Sequence, residues 1–247
     1  MNVIRVHIDR KKLMSLPDDE RILFLSLGLF VNEINALTRM LYWAANRKSD
    51  KLNEAEENGM QTIIFLLMRL LAGKLYESHK VVKKKFSDRK LAKKYVPKLR
   101  GEPADALKNI ARYFDKPDNH IKEIRDSFGF HYSPDSLDAM LPYVTEPLYI
   151  YLNRDKPAEN LFFLSEQLII SGLPNLMGKS NIDKAADALV GELFKVSIWF
   201  TELADGLIAE LIKTRDTELR ESSPVEVKFA TLLKFDKVQI PWFTDPS

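Results

Sequence analysis

Cysteine is absent from this 247-residue chain, which excludes disulfides, thiolate nucleophiles and cysteine-ligated zinc or iron–sulfur centres. Its absence also suits a reducing compartment. Histidine is scarce: His7, His79, His120 and His131 are the only four and show no paired spacing. A histidine-rich metal site would have to be assembled from distant segments, so neither a metal nor a cofactor is expected. Long uncharged apolar runs are missing as well. The opening "MNVIRVHIDRKKL" lacks a signal-peptide core, and no segment approaches the ~20 uninterrupted apolar residues of a membrane span. These absences predict a cytoplasmic protein without a membrane partner.

Familiar catalytic signatures are lacking too. There is no Gly-x-Ser-x-Gly, no His-Glu-x-x-His and no dinucleotide-binding glycine pattern. "GLPNLMGKS", Gly172 to Ser180, resembles a phosphate-binding loop, but five residues separate Gly172 from Gly178. That loop requires four, so that its amides converge on the phosphates. A turn before a helix is the better reading, and nucleotide binding is not expected. No internal repeat is present.

What is there is a chain 45% hydrophobic and 29% charged, with 37 basic residues against 35 acidic ones. It is rich enough in apolar residues for a large core. After a possible short strand in "VIRVHI", the dominant period is helical. "SLPDDERILFLSLGLFVNEINALTRMLYWAANR" begins with Ser, Pro and acids, as helix N-termini do, and Phe30, Ile34, Leu37 and Leu41 mark one buried face. A connector, "KSDKLNEAEENG", leads to a second long helix from about Met60 to Phe86, although its Ala and Glu content can extend that helix backwards. "GEPADALKNIARYF" opens a further helix at Pro103, and "KPDNHIKEIRDSF" another, with Asp118 or Asn119 as cap and an end at Gly129. "SPDSLDAML" repeats the start signal with Ser133 and Pro134.

Beyond this point "LYIYL" and "LFFLSEQLII" flank the turn-rich "NRDKPAEN" and make either a small β-hairpin or, for the second run, a helix. "NIDKAADALVGELFKVSIWFTELADGLIAELIKTRD" reads as a long helix, and the tail "ESSPVEVKFATLLKFDKVQIPWFTDPS" as extended. The expectation is an all-α chain, a helical bundle over 1–247 with its core in 1–145 and an extension in 146–247.

Two features carry chemistry. The first is the run Lys80 to Arg100, with ten Lys and Arg against one Asp. Within it Lys83, Lys84, Lys85, Arg89, Lys90, Lys93 and Lys94 are candidates for contact with RNA phosphates, although a solvated helix face is the commoner meaning of such a run. The second is "IRDSFGFHY", Ile124 to Tyr132. On one straight helix, six residues advance about 600° and about 9 Å, so Arg125 and His131 would point apart. If the helix stops at Gly129, the chain can turn back and bring imidazole towards guanidinium. The stretch is therefore either a helix end or a site.

"IRDSFGFHY" resembles the arginine-to-histidine motif of the HEPN superfamily, the higher eukaryote and prokaryote nucleotide-binding helical bundles. In that motif an Arg is followed by a polar residue and, four to six residues further on, by a His. Arg125, Asp126 and His131 stand at those places. The resemblance is close over Arg125 to Tyr132 and general over the helices from about Pro17 to Pro142. It implies a metal-independent endoribonuclease, of a toxin or defence-like kind, with the motif at a homodimer interface. An antitoxin or a nucleotidyltransferase is the further partner it implies.

In that role His131 would exchange a proton near neutrality, Arg125 would hold the phosphorane charge, and Asp126 would orient one of them. Asn32 and Glu33, which interrupt an apolar stretch of the first long helix, would support the same cleft or face solvent. The alternative is a non-catalytic helical protein, homodimeric, that binds RNA or acts as a scaffold.

Overall fold

The computed structural model describes residues 3–46, 52–87, 89–129, 137–154, 156–215 and 225–227. The chain is predominantly α-helical. Its helices are α1 (Arg10–Ser15), α2 (Asp18–Ala45), α3 (Glu54–Ser87), α4 (Arg89–Tyr95), α5 (Glu102–Phe114), α6 (His120–Ile124), α7 (Phe163–Leu176) and α8 (Ile182–Thr214). Two strands, β1 (Val3–Arg5) and β2 (Val225–Val227), pair antiparallel with Ile4 opposite Glu226. The expected strand near the N-terminus is therefore present, and part of the tail is extended. The remainder of the tail lies outside the described residues.

α2 and α8 start where their sequence signals place them, whereas α3 starts at Glu54, six residues before the expected Met60. Asp18, Asp19 and Glu20 occupy the first turn of α2, the acidic end that its amide dipoles favour. At the start of α3, Asn53 Oδ1 accepts the Glu56 N–H at 3.0 Å while Glu56 Oε2 accepts the Asn53 N–H at 3.0 Å. This reciprocal cap draws "NEAE" out of the connector and into the helix. Asn181 Oδ1 accepts the Lys184 N–H at 2.9 Å and opens α8. Along α8 the buried residues Ala185, Leu189, Leu193, Val196, Phe200, Leu203, Leu207 and Leu211 recur at three and four.

The two alternatives for "LFFLSEQLII" resolve in favour of a helix. Phe163, Ile170 and Leu173 are buried at helical spacing together with Gln167, whose Nε2 bonds to Pro147 O, so winding the run into α7 sinks on one side residues that a strand would split between two faces. The expected hairpin is reduced to one antiparallel bridge, Tyr151 with Leu161. "GLPNLMGKS" likewise belongs largely to α7. Gly172 lies inside that helix, where a side chain would run into Met140 Sδ, and Gly178 takes φ 59 just beyond it.

The described residues form two compact units that interleave along the chain. The first comprises 3–33, 77–87, 89–115, 198–215 and 225–227; the second comprises 34–46, 52–76, 116–129, 137–154 and 156–197. In the first, Phe30 meets Phe200 edge to face at 5.8 Å between centroids. Pro103 packs so closely on Gly206 that an added Cβ would lie 2.6 Å from its Cγ. The second holds a half-buried ion pair in which Arg69 Nη1 and Nη2 donate to Glu166 Oε2 and Oε1 at 2.6 and 2.8 Å.

α2 and α3 each contain an 18-residue stretch with at most two charges and enough apolar content to cross a membrane on composition alone. In α3 61% of that stretch is buried, as in a core helix, against 28% in α2. Ile22, Leu25 and Leu29 form an exposed apolar line on α2.

The first unit is also tied by a polar cluster around Glu20, which is buried. Its carboxylate accepts hydrogen bonds from Lys94 Nζ and from Tyr95 OH, the latter at 3.0 Å, while Arg215 Nη2 stands 3.5 Å away. Burial alone would raise the Glu20 carboxyl. The bonds from Lys94 and Tyr95 and the charges of Lys94 and Arg215 outweigh it and hold the group below its usual 4.5. Burial and the adjacent carboxylate push the Tyr95 phenol well above its ordinary value.

A carboxyl that is more acidic folded than unfolded stabilises fully above about pH 4.5, and that contribution is lost as pH falls through the folded value. Glu20→Gln is therefore expected to lower the unfolding free energy at neutral pH by about 2 kcal/mol. It should also flatten the acid side of the stability profile. Denaturant unfolding of both proteins across a pH series measures this; a difference that persists undiminished into acid would rule the cluster out as its source.

Candidate functional site

The motif's arginine stands at the end of a short, well-capped helix. Asn119 Oδ1 accepts the Lys122 N–H at 2.9 Å and starts α6, as the sequence predicts. After Ile124 the α-helix widens into a π-helical turn, Arg125–Gly129. Such turns are rare, have poorer packing along the axis than an α-helix, and occur mostly as single turns, frequently at functional positions. The turn ends at Gly129, the stop read from the sequence.

Arg125 is held from two directions. Its Nη1 donates to Asp126 Oδ1 at 2.6 Å, and its guanidinium carbon stands 5.3 Å from the centroid of the Tyr76 ring. The side chain is 20% exposed and that of Asp126 is 43% exposed, so the pair sits at the surface with the guanidinium backed by an aromatic face. On the apolar side of the turn, Ile124 and Phe128 pack with Phe65, Met68 and Gly172 around a cavity of about 20 Å³ whose wall includes Arg69. That is room for about one water molecule. A substrate would have to approach Arg125 from outside.

His131 falls in 130–136, outside the described residues, as do Tyr132 and the predicted helix start at Ser133 and Pro134. Asp126 and Arg125 are brought together. Asn32 is exposed and Glu33 half-buried on the part of α2 that belongs to the first unit, whereas Arg125 belongs to the second.

The basic candidates all lie in the first unit, on the end of α3 and on α4. Lys83 Nζ stands 3.6 Å from Asp115, Lys90 Nζ stands 3.6 Å from Asp19, and Lys94 serves the Glu20 cluster. Lys84 and Lys93 are exposed, Lys85 is half-buried, and Arg89 is the first residue of α4. Part of this run therefore neutralises acids of its own chain.

Two features escaped sequence reasoning. Tyr76 backs Arg125 from α3, and no periodicity connects positions so far apart. The second is a cleft of about 260 Å³ in the first unit, walled by Val82, Phe86, Leu107 and Ile110, with His79 at its side and Lys83 and Asp115 at its rim. His79 is buried and stacks on Phe114 at 4.3 Å. Burial lowers its imidazole pKa first, Lys83 lowers it further and Asp115 partly offsets both, so the ring is neutral at neutral pH. Among the described residues no three His, Asp or Glu side chains gather closely enough to hold a metal ion.

Comparison with protein-family models, curated proteins and solved structures gives no match.

The contact between Arg125 and Tyr76 has a measurable size. Tyr76→Leu keeps an apolar filler and removes the ring face, and is expected to lower stability by about 1 kcal/mol through the lost cation–π interaction. In a double-mutant cycle with Arg125→Ala the two effects should couple by a similar amount. Thermal unfolding of the four proteins reads this, and strict additivity would show that the ring does nothing for the guanidinium.

Proposed function

We propose that this protein is a metal-independent endoribonuclease of the HEPN kind, with Arg125 as the phosphate-stabilising group. The observation that carries the reading is the π-helical turn: it presents the motif's arginine at a helix end, with the cation steadied by Asp126 and backed by Tyr76. An arginine that stabilises a phosphorane needs a fixed fork with donors directed at solvent. Asp126 and the Tyr76 ring fix the guanidinium at the helix end, where the side chain is 20% exposed.

In the reaction, His131 takes the proton of a ribose 2′-hydroxyl whose oxygen attacks the adjacent phosphorus. Arg125 stabilises the charge that develops on the non-bridging oxygens. The 5′-oxygen leaves with a proton, giving a 2′,3′-cyclic phosphate and a 5′-hydroxyl end. Asp126 positions Arg125. A second copy of the motif across a two-fold axis would supply the second proton-transfer group.

The pairing of Lys83, Lys90 and Lys94 with acids of the same chain favours a second reading, a helical binding or scaffold protein without turnover. Both readings allow RNA affinity, and only the first requires Arg125 and His131 for cleavage.

The purified protein is expected to cut single-stranded RNA in EDTA and to leave 2′,3′-cyclic phosphate ends. Arg125→Ala and His131→Ala should each lower the rate by about a hundredfold or more, the scale for removing one proton-transfer or oxyanion-stabilising group. Asp126→Asn should cost less, because the amide can still accept a hydrogen bond from the guanidinium. Wild-type cleavage rates in both alanine variants, or loss of cleavage in EDTA, would leave the binding protein as the surviving reading.

A further inference from the structure

Within "EPLYIYLNR", the stretch Pro147 to Asn153 is extended and bonded on one side only among the described residues, and the chain bends at Glu146 and at Arg154, its two ends. Tyr151 N–H donates to Leu161 O and Leu161 N–H to Tyr151 O, both at 2.8 Å, and Tyr149 O accepts the Leu164 N–H at 2.8 Å. The side chains of the odd-numbered residues are anchored as well. Tyr151 OH accepts from Asn58 Nδ2 at 2.8 Å, Tyr149 and Tyr151 stack at 6.2 Å, and Asn153 Nδ2 donates to Glu159 Oε2 at 3.0 Å.

The even-numbered positions are the reverse. Glu146, Leu148, Ile150, Leu152 and Arg154 are all exposed, and the three apolar residues among them are 44%, 49% and 67% accessible. In an extended chain, alternate residues direct both N–H and C=O to opposite sides. The groups of Leu148, Ile150 and Leu152 therefore point away from α7, and they bond to nothing among the described residues.

An open edge that carries a row of exposed aliphatic side chains is a template for pairing with another strand. Natural edges are usually blunted by lysine, proline or a bulge. Here the one proline, Pro147, directs its carbonyl inward, where it accepts from Gln167 Nε2 at 2.8 Å. Its missing N–H takes nothing from the outer ladder.

We propose that this edge pairs with the same edge of a second copy of the chain, antiparallel about a two-fold axis at Ile150. The occupant follows from the order of the outward residues. A two-fold centred on Ile150 sets Ile150 against Ile150 of the partner subunit, Leu148 against Leu152 of the partner subunit, and Glu146 against Arg154 of the partner subunit. Every apolar side chain meets an apolar one and each charge meets its opposite. Neither Glu146 nor Arg154 has an ionic partner among the described residues. Shifting the centre to Leu148 would set Glu146 against Ile150, and shifting it to Leu152 would set Arg154 against Ile150, so the charges pin the register. The paired strands exchange N–H···O=C bonds at Ile150 and, on each side, between Leu148 and Leu152. The proposal does not depend on the nuclease reading, and it is tested by mass and not by turnover.

Sedimentation equilibrium of the full chain at micromolar to sub-millimolar concentration should give a dimer. Ile150→Lys should give a folded monomer with an unchanged circular dichroism spectrum. Glu146→Lys and Arg154→Glu should each weaken the dimer by about tenfold, because each sets like charges together twice in the interface. The double exchange should restore it. Since the chain has no other thiol, Ile150→Cys should cross-link on oxidation, whereas Tyr149→Cys should not. A wild-type monomer throughout this range overturns the proposal. So does a dimer that withstands Ile150→Lys, which would have its interface elsewhere whether or not Arg125 cleaves RNA.

Discussion

The stripe of buried residues along α8 is the constraint on which the other helices depend. From Ala185 to Leu211 it offers apolar side chains at three- and four-residue intervals without a charged interruption on that face. Burying it removes from water far more apolar surface than any of the ion pairs protects. Around it, polar residues are admitted only with partners. Glu20 is accepted in the interior of the first unit because Lys94, Tyr95 and Arg215 surround it. Glu166, half-buried in the second, likewise meets Arg69 with both of its oxygens.

Much of the helical arrangement is legible in the residues, because caps and periodicity are local. Asn119, Pro103, Asn181 and the acids after Pro17 each mark a helix start from within one turn. The fate of "LFFLSEQLII" is harder to read, since an apolar run of that length satisfies strand and helix equally until its neighbours are known. What decides it is that Phe163, Gln167, Ile170 and Leu173 share a helical side. The "NEAE" sequence could be assigned either way for a similar reason: its capping box is visible only once Asn53 and Glu56 are seen to bond to each other.

The candidate site divides along the same line. Arg125, Asp126 and the stop at Gly129 are local and could be read directly. The π-helical form of the turn could not, because propensities do not separate it from an α-helical end. Tyr76 could not be read at all, since it reaches Arg125 through tertiary packing. The basic run shows the opposite difficulty. Its charge is obvious in one dimension, but Asp19, Glu20 and Asp115, which temper it, come from other helices. A charge count measures supply and says nothing of local demand.

Gly206 and Pro103 fill one another's space, with the ring of the proline where the Cβ of any other residue at 206 would stand. The two positions therefore constrain each other sterically. A methyl group at 206 could be accommodated only if the ring at 103 were given up or displaced. Invariance at 206 among descendants of this chain would record a steric debt between two helices and would carry no information about chemistry.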